Sequence, residues 1–161
     1  MVQQRYAWTR LNRMQVGRYA EYFFKMEFVL RGFDVYGTEV DDRGIDFVLR
    51  REPDRYWDVQ VKSLRGAEYV FIPESKFRLR PTFLVALALF EDGRQPDLFL
   101  IPATRWEKPG GIFVYRSYEG LKSPPEYGIN VSKKATAELE GFCFTRALKD
   151  IFGELGPVDE R

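Results

Sequence analysis

The sequence predicts an α/β fold in which helices flank a mixed central sheet. Three patterns indicate this fold: amphipathic helical spacing in residues 14–31, strand-like alternation in residues 45–62, and a continuous apolar run in residues 82–90. With 161 residues and 45% hydrophobic content, the chain is long and apolar enough for one domain with its own core. We divide this predicted domain into a core, residues 14–103, and a C-terminal extension, residues 104–161.

Periodicity and turn residues define the elements in the first third of the chain. Residues 1–13 are polar and basic, which predicts an arm or a short helix. The helix predicted for residues 14–31 has apolar residues at three-to-four spacing, and Gly32 is a suitable C-terminal cap. We expect the first strand at residues 33–40 and a turn at residues 41–44. The apolar helix positions are Val16, Tyr19, Ala20, Phe23, Phe24 and Leu30.

Two strands joined by a turn follow, and together they form a predicted hairpin. Residues 45–49 and 56–62 are rich in β-branched and aromatic side chains, and residues 52–55 between them have turn chemistry. Side chains alternate between the two faces of a strand. Gln60 and Lys62 therefore point to one face of the second strand, while the valines on either side of Gln60 pack against the other.

The second half of the chain combines strands with helical segments. Residues 74–79 predict one helical turn, and residues 132–152 predict a continuous helix that is capped by Ser132 and ends near Gly153. Residues 104–128 are rich in Gly, Pro and Tyr and are expected to contain a single strand. The strands predicted for this half are residues 69–73, 82–90, 97–101 and 112–115.

Composition excludes several classes of function. The chain has no histidine, which excludes Ser-His-Asp triads and histidine zinc sites. Cys143 is the single cysteine, so no intramolecular disulfide can form, and its apolar surroundings predict core packing. The net charge of +1 gives no global signature of polyanion binding, although basic residues concentrate in residues 1–31. No signal peptide or membrane-length apolar run is visible, so we expect a cytoplasmic protein.

An acid, an amide and a lysine form the most informative cluster of the predicted hairpin. Asp46 places a charge inside an apolar strand, and Gln60 and Lys62 share a face of the next strand. Side chains of these three kinds can converge at the open end of the hairpin, hold a divalent cation and activate water for phosphodiester hydrolysis. Two simpler interpretations stay open: Asp46 as a turn or ion-pair acid, and Lys62 as an edge-strand lysine whose amine extends to water.

The order helix glutamate, strand, aspartate, strand, glutamine-x-lysine resembles the PD-(D/E)XK nuclease superfamily over roughly residues 14–103. The matching residues are Glu21 in "GRYAEYFF", Asp46 in "GIDF", and Gln60 with Lys62 in "VQVKS". Ile45 stands where the superfamily usually has proline. Gln60 stands where the superfamily usually has an acid. In having a glutamine at this position, the chain is similar to a bacterial group I intron homing endonuclease of this superfamily. The resemblance implies a restriction-endonuclease-like fold.

The resemblance also implies a Mg²⁺- or Mn²⁺-dependent endonuclease that acts on DNA. It assigns catalysis to Glu21, Asp46, Gln60 and Lys62, and metal binding to the first three. Glu27 is a rival for the helix acid. Asp58 shares the face of the amide and the lysine, and it is either a second metal ligand or the ion-pair partner of the lysine. The alternative function is a catalytically inactive nuclease-fold module that binds DNA or protein.

Further residues are candidates for contacts with DNA and with a second copy of the chain. A double-strand cut is easiest with two sites, so we expect a dimer or a tetramer, with apolar surface from residues 104–128 and the C-terminal helix. Aromatic side chains can stack on bases or fill the core; these are Tyr6, Trp8, Trp57 and Trp106. The predicted phosphate contacts are Ser63, Arg65, Lys76, Arg78 and Arg80.

Overall fold

The computed structural model describes residues 5–40 and 43–154. The first helix, α1 (Arg13–Leu30), begins with a capping box in which Asn12 Oδ1 accepts the Gln15 N–H and Gln15 Oε1 accepts the Asn12 N–H, both at 2.9 Å. It ends before Gly32, whose φ of 83° is the left-handed conformation expected of a capping glycine. The predicted helix and its cap are therefore confirmed.

The strands of the described chain form two separate sheets. The larger sheet has the order β1-β2-β3-β5-β6, and all of its neighbours are antiparallel except β3 and β5, which are parallel. It is thus the mixed central sheet that the sequence predicts. The strands are β1 (Asp34–Gly37), β2 (Phe47–Arg50), β3 (Tyr56–Arg65), β4 (Tyr69–Pro73), β5 (Phe83–Phe90), β6 (Asp97–Pro102), β7 (Phe113–Arg116) and β8 (Glu126–Asn130).

Strand boundaries differ from the prediction mainly at the hairpin. β1 is shorter than predicted, β2 begins at Phe47 instead of Ile45, and β3 continues to Arg65 because it pairs with β5 along its length. β5 has a bonded neighbour on both sides and is buried at nearly every position, as its continuous apolar run predicts.

The second sheet, with the order β4-β8-β7, was not predicted from the sequence. β8 lies in the Gly- and Pro-rich segment, where a strand signal is weak, and Gly128 within it makes room for the Tyr69 ring. The buried carboxylate of Glu126 organises the outer face of this sheet. Its Oε1 atom accepts hydrogen bonds of 2.8 Å from the hydroxyls of Tyr69 and Tyr118.

The prediction of one continuous C-terminal helix is wrong. The segment contains a short 3₁₀ turn at Lys133–Ala135, then α2 (Thr136–Glu140) and α3 (Phe144–Phe152). Between the two helices the chain pairs with β6, since the Leu100 N–H donates to Phe142 O at 2.9 Å. Ser132 makes no side-chain cap, whereas Gly153 ends α3 as expected.

The core divides into two clusters, one on each face of the central sheet. α1 and α3 pack on one face, and the second sheet with α2 packs on the other. Trp8, Trp57 and Trp106 are all buried in these clusters, so their surfaces fill the core instead of facing a ligand. In the described part of the chain, no helix has the length and apolarity needed to span a membrane.

Candidate functional site

Asp46 lies immediately before β2 and is fixed against β3. Its N–H donates to Val59 O at 2.9 Å, and its Oδ2 atom accepts from the Val61 N–H at 2.6 Å and from Gln60 Nε2 at 3.2 Å. The backbone N–H groups of a strand lie in the plane of the sheet. The carboxylate of Asp46 therefore lies at the level of the sheet, between its two faces.

Gln60 is buried, with 7% of its surface exposed, beneath the turn that precedes Asp46. Its amide nitrogen faces the aspartate and its carbonyl oxygen faces Gly44. A Cβ on Gly44 would lie 2.8 Å from Gln60 Oε1, 2.7 Å from Lys76 Cβ and 2.8 Å from Lys76 O. Gly44 also has a left-handed φ of 74°. The sequence alone predicted Gly44 only as a turn residue, although a glycine directly before a predicted strand indicates a close approach of the backbone.

Lys62 lies two residues after Gln60 and projects from the same face of β3, as the alternation predicts. The side chain is half-buried and lines a narrow space between the two sheets, together with Ile72, Trp106 and Tyr127. The aspartate, the amide and the lysine thus belong to one region of the molecule.

Glu21 lies on the other side of the central sheet. α1 packs against the face that carries Val59 and Val61, whereas Gln60 and Lys62 project from the opposite face. Glu21 Oε2 accepts from Arg18 Nη1 at 2.9 Å within the helix. Glu21 and the β3 side chains Gln60 and Lys62 therefore start from opposite faces of the sheet, with Asp46 at the level between them.

The two rival acids have other partners. The carboxylate of Glu27 is held by Arg31 at 2.6 Å, one turn later in α1. Asp58 forms an ion pair with Arg80, which lies in the segment before β5. An ion pair with Lys62 was one of the two roles predicted for Asp58; Arg80 was not predicted as a partner, because it lies far from Asp58 along the chain.

The predicted phosphate contacts are divided between two regions. Ser63 and Arg65 line an open cleft of about 290 Å³ at the end of β3, together with Arg13 from the start of α1. Arg65 Nη1 also donates to Trp8 O at 3.0 Å and to Leu11 O at 2.6 Å, so this guanidinium anchors the N-terminal segment.

The other three predicted contacts lie in the segment between β4 and β5, and one of them is next to the turn that covers Gln60. Lys76 packs against Gly44. Arg78 Nη1 donates to Ser75 O at 2.9 Å and to Phe77 O at 3.0 Å. These bonds hold the guanidinium against its own backbone, and Arg80 is paired with Asp58.

The ligand chemistry of the site suits a hard cation with few anionic ligands. Asp46 and Gln60 offer oxygen atoms, which Mg²⁺ and Mn²⁺ prefer, and Mg²⁺ is commonly held by one or two carboxylates with water and phosphate completing its shell. Among residues 5–40 and 43–154, no three Asp, Glu, His or Cys side chains are grouped so that they could hold a metal ion. A cation bound by Asp46 and Gln60 would therefore need further oxygen ligands that do not come from such a group of acidic side chains.

Comparisons with known proteins add a resemblance of fold. No protein-family model matches the sequence, and no curated protein sequence matches it either. Among solved structures, one that resembles this chain is Hjc, a Holliday junction resolvase from the archaeal hyperthermophile Archaeoglobus fulgidus. The two are 13% identical, the match covers 71% of this chain and 83% of that chain, and the TM-score is 0.46. Similarity at this level says nothing about activity, which must be inferred from the residues of the site.

Proposed function

We propose that the protein is a metal-dependent endonuclease that hydrolyses phosphodiester bonds in DNA. The observation that supports the proposal best is the hydrogen bond between Gln60 and Asp46, with Lys62 on the same strand face as Gln60. An acid, an amide and a lysine on adjacent strands provide a cation ligand, a positioning group and a positive charge. Phosphodiester hydrolysis needs these functions together.

Mg²⁺ or Mn²⁺ is the proposed cofactor, with Asp46, Gln60 and Glu21 as ligands. To serve as a ligand, the Gln60 amide would have to turn over, so that Oε1 replaces Nε2 beside Asp46. A cation bound there would supply Lewis-acid chemistry to the phosphate. Asp46 receives two hydrogen bonds on one oxygen, so its carboxylate is already oriented before any cation binds. Such preorganisation reduces the cost of assembling the site.

Lys62 is the proposed group that acts on the reacting atoms. In hydrolysis a water oxygen bonds to phosphorus, and the bond from phosphorus to the leaving sugar oxygen breaks. Negative charge develops on the phosphate oxygens during this exchange, and a positioned ammonium can stabilise it or orient the attacking water. The half-buried position of Lys62 strengthens this effect, because charges interact more strongly away from bulk water.

DNA and a second copy of the chain are the proposed partners. The cleft lined by Ser63 and Arg13 lies at the end of the strand that carries Lys62, on the α1 side of the central sheet, and it is the proposed phosphate contact of that side. Lys76 lies on the other side, next to Gly44. Self-association would provide two sites for the two strands of a duplex.

Two observations favour an alternative function, that of a nuclease-fold module which binds DNA without cutting it. Gln60 is neutral, and its nitrogen rather than its oxygen faces Asp46. Glu21 is paired with Arg18. A site that depends on one carboxylate would bind a cation weakly.

A cleavage assay on supercoiled plasmid and on labelled single strands separates the two functions. We expect nicked or linear product with Mg²⁺ or Mn²⁺ and none with EDTA. DNA binding in EDTA, measured by fluorescence anisotropy, combined with no cleavage in either metal would establish the alternative. Failure to bind and to cut any DNA would reject both.

A further inference from the structure

The solvent-facing side of α1 is apolar over its last three turns. Tyr22, Met26, Val29 and Leu30 are 55%, 57%, 59% and 76% exposed, and their i, i+4, i+7, i+8 spacing places them on one face. The opposite face of the helix is buried in the core. A helix on the surface of a monomer normally presents polar side chains to water. A contiguous exposed apolar patch is typical of an interaction site.

The charges next to this α1 face largely neutralise one another. Arg18 is paired with Glu21 at 2.9 Å, and Arg31 is paired with Glu27 at 2.6 Å. Lys25 extends over the Phe47 ring, with its Nζ atom 5.7 Å from the ring centre. A helix that binds anionic lipid has an excess of lysine and arginine around its apolar side, and a surface that binds nucleic acid is basic. The surroundings of the α1 face fit an apolar protein surface better than either.

We propose that the α1 face binds the same face of a second copy of this chain, around a two-fold axis between Tyr22 and Met26. A two-fold interface uses one patch twice, and a face that is neutral and apolar throughout is complementary to itself. Two α1 helices that cross antiparallel about this axis place the tyrosine of one copy beside the methionine of the other. Methionine sulfur packs favourably against aromatic rings.

The rest of the chain offers less apolar surface for this purpose. The sequence predicted apolar surface for self-association in residues 104–128 and the C-terminal helix. The structure buries Trp106, Phe113 and Phe144 from these segments in the core of the same chain. The other large exposed apolar side chains of the described residues are spread over separate elements. Tyr36 and Tyr56 share one face of the central sheet, but the charged Arg50 lies on that face with them.

The expected dimer is of modest strength. Burial of the α1 face in both copies would remove roughly 1,000 Å² of surface, which is near the lower limit for a specific interface. An interface of this size is typical of weak complexes, so we expect association only in the micromolar range or above. Glu21 is on the same helix, so this dimer would also fix the two proposed catalytic sites relative to the axis. The inference specifies the proposed self-association and does not depend on nuclease activity.

Sedimentation equilibrium of the metal-free protein, at concentrations of about 1 to 100 μM, tests the inference. The wild type should be largely dimeric at the upper end. Met26→Glu should weaken association by about tenfold or more, because it places a carboxylate in the apolar contact of each copy. Leu121→Glu is the matched control, since it adds the same charge at an exposed apolar residue on a different segment. This control should associate like the wild type.

Glutamate is a good helix former and residue 26 is exposed, so the variant should fold; circular dichroism checks this. Val29→Glu is a second variant on the same face and should behave alike. A wild type that is monomeric at about 100 μM would overturn the proposal. So would unchanged association of both folded α1 variants, or equal weakening by Leu121→Glu. None of these results bears on DNA cleavage, which is measured separately.

Discussion

Replacement of Gly44 by alanine is the perturbation whose effect can be worked out most fully from the structure. Gly44 has a φ of 74°, and an added Cβ would lie 2.7–2.8 Å from Gln60 Oε1 and from two atoms of Lys76. One of those atoms is a backbone carbonyl oxygen, and Gln60 is buried, so neither neighbour can withdraw easily. We expect Gly44→Ala to push the glutamine away from Asp46.

Two costs add at this position. The left-handed conformation costs a residue with a Cβ about 1–2 kcal/mol. The steric conflict adds about 1–3 kcal/mol, as inserted atoms do in tightly packed regions. The free energy of unfolding should therefore fall by roughly 3 kcal/mol in Gly44→Ala. Gly120→Ala is a matched control, because Gly120 has a φ of 77° and no atom within 4 Å of the added Cβ. The free energy of unfolding of Gly120→Ala should fall only by the conformational cost of about 1–2 kcal/mol.

Urea unfolding followed by tryptophan fluorescence measures both variants, since all three tryptophans are buried. A difference of about 2 kcal/mol between the variants would separate their midpoints by roughly 1 M urea. Equal destabilisation of the two variants would refute the close approach of Gly44 to Gln60.

Three further predictions follow from the contacts of other residues. Gln60→Glu should lower the melting temperature of the metal-free protein, because it removes a hydrogen-bond donor and places a second carboxylate beside Asp46. Mn²⁺ should then raise the melting temperature of this variant more than that of the wild type. Equal effects of Mn²⁺ on the two proteins in thermal scans would contradict this prediction. Glu126→Ala should lower the free energy of unfolding by about 2–3 kcal/mol, because two tyrosine hydroxyls lose their hydrogen-bond acceptor. Glu119→Ala, at an exposed glutamate, should change the free energy of unfolding little, and urea unfolding measures both variants. The hydroxyl and N–H of Thr9 donate to Asp92 and lower the pKa of its carboxyl group. The stability that this carboxylate contributes is therefore complete above its unfolded pKa of about 3.9 and is lost as the pH falls through the lower folded pKa. The difference in free energy of unfolding between wild type and Asp92→Asn should shrink over that acid range and stay constant at neutral pH.

The sequence was sufficient for elements whose pattern is local. The α1 helix has a strong three-to-four period and a glycine after its end, and β5 is an unbroken apolar run, so both were predicted within about two residues. β8 was missed because its partners, β4 and β7, decide its conformation and its own residues include a glycine. The C-terminal helix was overestimated because pairing of residues 141–143 with β6 is a tertiary effect.

The candidate site shows the same division. Alternation along β3 was enough to place Gln60 and Lys62 on one face, and a short hairpin was enough to bring Asp46 beside them. Three features depend on segments distant in sequence: the closure of Gln60 by Gly44 and Lys76, the Asp58–Arg80 ion pair, and the use of Arg65 to hold the N-terminal segment. No periodic pattern encodes such contacts, so they could be found only in the folded chain.

Single-turnover cleavage of a labelled DNA duplex by three proteins tests the central claim most directly. These are the wild type, Asp46→Asn and Asp58→Asn. Asparagine is preferable to alanine at residue 46, because it keeps one oxygen acceptor for the Val61 N–H while it removes the charge and replaces the other oxygen by an NH₂ group. We expect Mg²⁺- or Mn²⁺-dependent cleavage by the wild type, retention of that activity in Asp58→Asn, and a loss of at least about a hundredfold in Asp46→Asn. Cleavage by a folded Asp46→Asn at the wild-type rate would contradict the account.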